Sequence, residues 1–440
     1  MKSRVVLLSL LITLLACRDS PPGLEDQPIT LRLEDASCTE LWLHIQSQSR
    51  GSRGEVLLMR DGAQVRTFTF HGMDTLLLEE GLQPGRTYAY QAAQTGLVGA
   101  IGRSNLLQAR TLDTTSHEFT FETTLLGDGN GSVLRDVVIV NDTLAFAVGA
   151  IHVRDSLGRW DPDVYNLAIW NGSTWSLRRL TYQGSPPVVH SVLQVSSDNV
   201  WLDPWFHWNG QQFQELPIDS ALLGTTWNKM GTSLTSEIYV IGSNGSIVSS
   251  RDQGLHWQKL SSGTPVDLVD ISGSPSGGRV WICGYDESFP GTSLLSYRGT
   301  TLESIYDGTP SEYVIRKDSL SGTLTSVFAT SEDRVLVATP AGVYELRSST
   351  GVKGKRIALD DSWFPGFPHR IRGNAGNDWF VVGEYSFVAH YNGVHLRHYG
   401  ELMTDGQRLL SVSQKGNLMI AVGVNYQTFQ TRGLVITGRR

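Results

Sequence analysis

Cysteine is scarce, with 3 in 440 residues, which leaves no disulfide framework to staple a small core. Cys38 and Cys283 each sit in strand-like sequence of separate predicted domains, so two isolated thiols are expected and packing must supply the stability. Positive charge is thin as well. Lys and Arg total 36 against 43 Asp and Glu, a net charge of -7, and no basic block occurs beyond the first residues. A nucleic-acid binder needs a clustered basic face, so that class is excluded. After residue 15 every apolar run is broken within a few residues by Gly, Asp, Asn or Arg, which leaves no later bilayer-spanning segment. Long helical periodicity is missing too. With 46 Gly, 12 Trp and 14 Tyr, the composition and patterning point to an all-β chain. No GxSxG, HExxH, phosphate-loop or dinucleotide motif is present, so neither a cofactor nor a metal is expected.

What is present begins with an export leader. Lys2 and Arg4 precede an apolar run over residues 5–15, and Leu14-Leu15-Ala16-Cys17 closes it with a small residue before cysteine. The run is about half the roughly 20 residues a membrane-spanning helix needs. The four closing residues resemble the bacterial lipobox. That resemblance implies a signal peptide over residues 1–17, a lipid on Cys17, and a mature chain held in the cell envelope by this anchor. Arg18 stands where some enteric lipoproteins carry an inner-membrane-retaining Asp, which points to the outer membrane. Residues 18–27, RDSPPGLEDQ, combine Pro, Gly and charge without periodicity and read as an extended linker.

Residues 28–112 carry short alternating runs: ITLRLED, TELWLHIQ, EVLLMRDG, VRTFTF, DTLLLEE, RTYAYQAAQ and NLLQART. Seven strands in about 85 residues suggest a two-sheet sandwich. Residues 82–90, LQPGRTYAY, resemble the LxPGxxYxYxV stretch of fibronectin type III domains. The resemblance implies a spacer module and gives Tyr88 the tyrosine-corner role, with its hydroxyl bonded to the chain upstream.

Residues 117–440 repeat themselves. Four hairpins share an aromatic residue, a Gly two residues later and an apolar residue three beyond that: Trp170 to Trp175, Trp208 to Phe213, Tyr297 to Leu302 and Tyr391 to Leu396. In three of them the turn contains Asn-Gly, the pair that two-residue type I′ turns favour. A more specialised copy, Ser250-Arg-Asp252-Gln-Gly254-Leu-His-Trp257, resembles the Asp-box of sialidase, sortilin-type and photosystem II stability-factor-like propellers. The resemblance gives it a structural role: the carboxylate accepts backbone N–H groups and the indole covers the hairpin. Seven buried-strand units, NDTLAFAVGA through GNLMIAVGV, end near Gly149, Asp203, Gly242, Gly284, Thr339, Gly383 and Gly423. Their spacing of about 40 to 55 residues is that of a four-stranded propeller blade. The expected fold is therefore a fibronectin type III-like sandwich followed by a seven-bladed β-propeller. Residues 118–126, EFTFETTLL, should supply the strand missing from the last blade and close the ring.

Propeller ligands meet the central channel. The innermost strands place Arg135, Arg370, Arg372 and Arg408 in three blades adjacent around the ring, where guanidinium forks would suit a carboxylate, with Asp136 as an acid. In sialidases an arginine triad holds the substrate carboxylate, but no [FY]RIP motif or Tyr/Glu nucleophile pair accompanies these arginines. His390 is expected across a two-residue turn from His395, close to His398; without a third ligand of fixed spacing the cluster reads as a solvated strand face. Three functions follow from this layout. The first is a lipid-anchored, non-enzymatic binding scaffold with a protein or glycan ligand on the ring. The second is a carbohydrate-active enzyme using paired carboxylates such as Asp136 and Asp267, and the third an envelope assembly factor that captures protein clients.

Overall fold

The computed structural model describes residues 29–47, 54–70, 74–95, 101–222, 226–233, 237–286, 291–308, 318–348, 351–357, 367–427 and 430–440. The leader, Cys17 and the linker lie outside the described residues. Two compact units emerge, one of residues 29–36 and 40–111, the other of 37–39 and 112–440. Cys38 and Cys283 are both buried and free. Among the described residues no helix is long and apolar enough to cross a membrane.

The first unit is a two-sheet sandwich. Ile29–Ala36, Leu41–Ser47 and Asp74–Glu79 form one sheet; Ala63–Phe70, Gly54–Arg60 and Thr87–Thr95 form the other, with Ile101–Arg103 and Leu107–Arg110 both on the edge of the last strand. The seven alternating runs all became strands, and the short Ile101–Arg103 strand was too brief to register as a pattern. Leu31, Leu43, Ile45, Val56, Leu58 and Tyr90 alternate inward to make one core. Tyr88 is buried at 5 % exposure, and its hydroxyl accepts the Gln83 N–H at 2.8 Å.

The second unit contains seven four-stranded antiparallel sheets among the described residues. Their first strands are Gly129–Asn141, Val192–Ser196, Trp227–Thr232, Leu268–Gly273, Ser326–Ala329, Pro368–Ala375 and Gln407–Lys415. Each first strand lies beside the next, and the seventh returns to the first, so the sheets form a ring of blades. Seven apolar clusters fill the gaps between neighbouring blades. Ala145 and Ala147 pack toward the seventh blade while Phe146 and Val148 pack toward the second. Val335 and Val337 likewise serve one interface, Leu336 and Ala338 the other. A second strand buried on both faces needs apolar residues at every position, which is why these strands read as continuous runs. The ring closes as the repeat implied: Thr120–Leu126 pairs antiparallel with Arg432–Arg439, from Gly433 opposite Leu126 to Arg439 opposite Thr120.

The hairpins depart from the two-residue Asn-Gly expectation. Asn171 N–H donates to Thr174 O, so Gly172 and Ser173 are the central pair and only the glycine is left-handed. The Asn171 side chain accepts the Ser173 and Thr174 N–H groups instead of entering the turn. The hairpins at Asn209 and Asn392 reverse in the same way. His390 consequently faces Arg397, not His395.

Candidate ligand site in the channel

In blades one, three, four, six and seven the first strand carries a one-residue bulge, at Arg135, Asn228, Val269, His369 and Leu410. A bulge brings the preceding carbonyl down onto the neighbouring strand. A Cβ at Gly242 would lie 1.6 Å from Thr226 O, and one at Gly423 1.9 Å from Arg408 O. The recurrent glycine that ends the second strand is thus a consequence of the bulge.

The residue after the bulge points into a buried girdle: Asp136, Lys229, Asp270, Arg370 and Ser411, joined by Ser191 and Ser326 from blades two and five. Asp136 forms an ion pair with Lys229 and accepts hydrogen bonds from Ser191 Oγ (3.1 Å), Val192 N–H (2.8 Å) and Ser411 Oγ (2.7 Å). Asp270 pairs with both Arg370 and Arg372. The Arg372 fork sits at 2.6 and 2.9 Å, while Ser326 Oγ and the Val327 N–H (2.9 Å) complete the carboxylate. Ser191 and Ser326 each pass the connection on, accepting the N–H of Met230 (3.0 Å) and Ile371 (3.1 Å) in the following blade. Burial alone would raise both carboxyls. The cations outweigh it and hold them below the usual range, chiefly Lys229 for Asp136 and the two arginines for Asp270. Burial pulls Lys229 down to about 8, with Asp136 opposing.

The girdle separates two cavities. Toward the bulges, Arg135, His190, Trp227, Tyr285, His369 and Arg370 line a mouth of about 220 Å3. Beyond it, Gln194, Thr232, Ser272, Ser413 and Gln414 help line a chamber of about 360 Å3.

The five channel residues singled out from sequence are therefore split. Arg135 and Arg370 share the mouth. Arg135 is exposed and meets no hydrogen-bonding or ionic partner among the described residues. Arg372 belongs to the other side of the girdle, bound to Asp270 and the carbonyls of Val327 and Ile371. Arg408 is drawn off by Glu384 at 2.7 Å, whose carboxylate also meets His369 at 3.0 Å. The arginine triad is not assembled, and Asp136, buried and ion-paired, is no proton donor. Asp267, the other carboxylate considered, caps Asn244 N–H at 2.8 Å instead of lining the mouth.

Sequence reading missed Asp270 as a hub and Lys229 as its counterpart's partner. A signal existed: Leu134-Arg-Asp136, Leu268-Val-Asp270 and Leu409-Leu-Ser411 repeat one Leu-x-Asp/Ser step at the bulge, and Leu324-Thr-Ser326 repeats it at the start of the unbulged first strand of blade five.

The Asp-box lies elsewhere, between Ile247–Ser250 and Gln258–Leu260, the outer strands of blade three. Asp252 accepts the His256 N–H (2.9 Å) and the Ser250 hydroxyl (2.9 Å), Ser250 Oγ accepts Gly254 N–H (2.8 Å), and the Trp257 indole donates to Gly254 O (3.1 Å). These bonds, the His256 N–H foremost, hold the Asp252 carboxyl down at about 2. Ser250, Asp252, His256 and Trp257 are thus engaged in shaping their own turn, while Arg251 pairs with Glu237 at 3.0 Å. Among the described residues no cluster of His, Cys, Asp and Glu is arranged to hold a metal.

A closed ring of four-stranded sheets around an axial channel is a β-propeller. A solved structure bears this out: the chain superposes on one titled "YCF48 bound to D1 peptide" with a TM-score of 0.52 and 14% identity, covering 73% of this chain and 95% of that one. A second, YCF48 from Cyanidioschyzon merolae, gives 0.48 and 12%, covering 72% and 98%. No protein-family model matches the chain, and no curated relative is found.

Proposed function

We propose that this chain is an exported binding scaffold, lipid-anchored through Cys17, whose propeller mouth receives an acidic group of a protein partner. One observation carries the site: Arg135 is an exposed guanidinium without a counter-ion among the described residues, above a floor closed by ion pairs. Arg370 reinforces it, because Asp270 must neutralise two arginines with one carboxylate. An anion entering the mouth meets unbalanced positive charge between the aromatic walls of Trp227 and Tyr285. A similarly folded propeller with a peptide in its title supports a protein partner and the assembly-factor variant of this reading. The lipobox-like leader supports the anchor. Fibronectin type III-like character in the first unit is supported by the Tyr88 to Gln83 bond, and suits a spacer.

A glycosidase is less well served: no carboxylate lines the mouth among the described residues, whereas hydrolysis needs two about 5 to 9.5 Å apart. Two experiments test the proposal. Cys17→Ala should move the protein from the membrane to the soluble fraction. Fluorescence anisotropy on the chain starting after Cys17, with acidic peptides against their amidated or Asn/Gln counterparts, should show binding that Arg135→Ala weakens about tenfold. Equal binding of acidic and neutral peptides would overturn the anion site.

A further inference from the structure

His117, half-buried in the segment leading into the closing strand, meets the fully buried His390 of blade six in a pair that neither the channel nor the Asp-box uses. His117 Nδ1 and His390 Nδ1 lie 2.8 Å apart, and His390 Nε2 lies 2.8 Å from Asp378 Oδ1. Asp378 is a hub. Arg440 grips it with two nitrogens at 2.6 and 3.1 Å, and the side-chain amides of Asn374 (2.7 Å) and Gln414 (2.9 Å) also donate to it. The segment itself is tied down by Tyr399 Oη donating to His117 O (2.8 Å) and Arg440 to Ser116 O (3.0 Å). Blade six, blade seven and the closing segment thus meet at one carboxylate.

The carboxylate fixes the protons. It can only accept, so His390 carries its hydrogen on Nε2 and offers a bare Nδ1. His117 must then donate from Nδ1, which leaves its Nε2 as an unprotonated lone pair, buried without a partner. This arrangement holds with both rings neutral. One more proton either lands on His117 Nε2, where no acceptor waits, or on His390 Nδ1, where two N–H groups would collide.

We propose that this pair makes ring closure a proton-operated clasp: a proton taken up at His117 or His390 releases residues 115–126 from blades six and seven. The surrounding charges offer no relief. His117 faces His390, Arg397, His395 and Glu118, and Glu118 is already engaged by Arg397 at 2.9 Å. His390 faces Asp378, Arg440 and His117, and Asp378 is neutralised by Arg440. Burial first, then the neighbouring cations, pushes His117 down to about 4 against Glu118, and burial lowers His390 despite Asp378. Because the released state binds the proton more readily, closure is full above the free-histidine value of about 6.5 and weakens as pH falls from there toward about 4.

The test is amide hydrogen exchange on the full chain at about pH 7.5 and about pH 5, corrected for intrinsic rates. Protection of Thr120–Leu126 and its partner Arg432–Arg439 should fall about tenfold or more at the lower pH, with blades two to five unchanged. His117→Asn keeps a donor at the Nδ1 position but cannot itself take the proton, and should cut the response to the part that His390 alone supplies. An acid response of equal size in His117→Asn, or equal loss across all blades, would overturn the clasp. Histidine NMR titration of the unaltered protein gives an independent answer: His117 should stay neutral through about pH 5.5, and an ordinary titration near about 6.5 would sink the proposal.

Discussion

Asp136 and Asp270 occupy corresponding places in blades one and four, each two residues past a leucine, each after a bulge, each stapled to a serine and a backbone N–H of the next blade. Their cations differ. Asp136 faces a lysine, which can shed its proton when its partner is lost; Asp270 faces two arginines, which cannot. One carboxylate balances its neighbour, while the other leaves positive charge over for the mouth. The same local design therefore serves cohesion in one blade and electrostatic bias in another.

Asp270→Asn should break this comparison most severely. It strands two half-buried guanidiniums and should cost about 3 kcal/mol in urea unfolding. Asp136→Asn should cost less, about 2 kcal/mol near neutral pH, because Lys229 can go neutral. The pH dependence separates the two. Lys229 already sits at about 8, below its unfolded value, so the unfolded state holds more protons and stability of Asp136→Asn should recover as pH rises through and beyond that value. Asp270→Asn should show no such recovery. If both variants respond alike, the lysine-arginine distinction is wrong. Ser191→Ala and Ser326→Ala remove equivalent inter-blade staples and should each cost about 1 kcal/mol, equal within error by thermal unfolding. Arg135→Ala should change stability by less than about 0.5 kcal/mol while weakening acidic-peptide binding, since the side chain is exposed and has no partner among the described residues.

Much of the scaffold was legible because its signals are local. An unbroken apolar second strand, the glycine forced by a bulge, and EFTFETTLL ahead of the first blade each lie within a few residues, so repeat, closure and strand content could be read directly. The site was legible only in outline. Arg372 and Asp270 are 102 residues apart, and nothing but ring geometry brings them together. Arg408 had the right blade but met Glu384 first. The hairpin turns slipped by one residue because the Asn side chain satisfies turn N–H groups in place of a left-handed asparagine backbone, and that slip alone separated His390 from His395.

The bulge has one more consequence. A bulged residue is extra to its ladder, and Arg135 takes part in none of the apolar inter-blade clusters, whereas Asn228 donates to Leu268 O of the next blade (2.9 Å) and His369 shares Glu384 with Arg408. Substitutions at Arg135 would alter what the mouth accepts and leave the architecture alone. Recognition and foldedness are written in separate letters of this sequence, so one ring could be retuned for a new partner without being rebuilt.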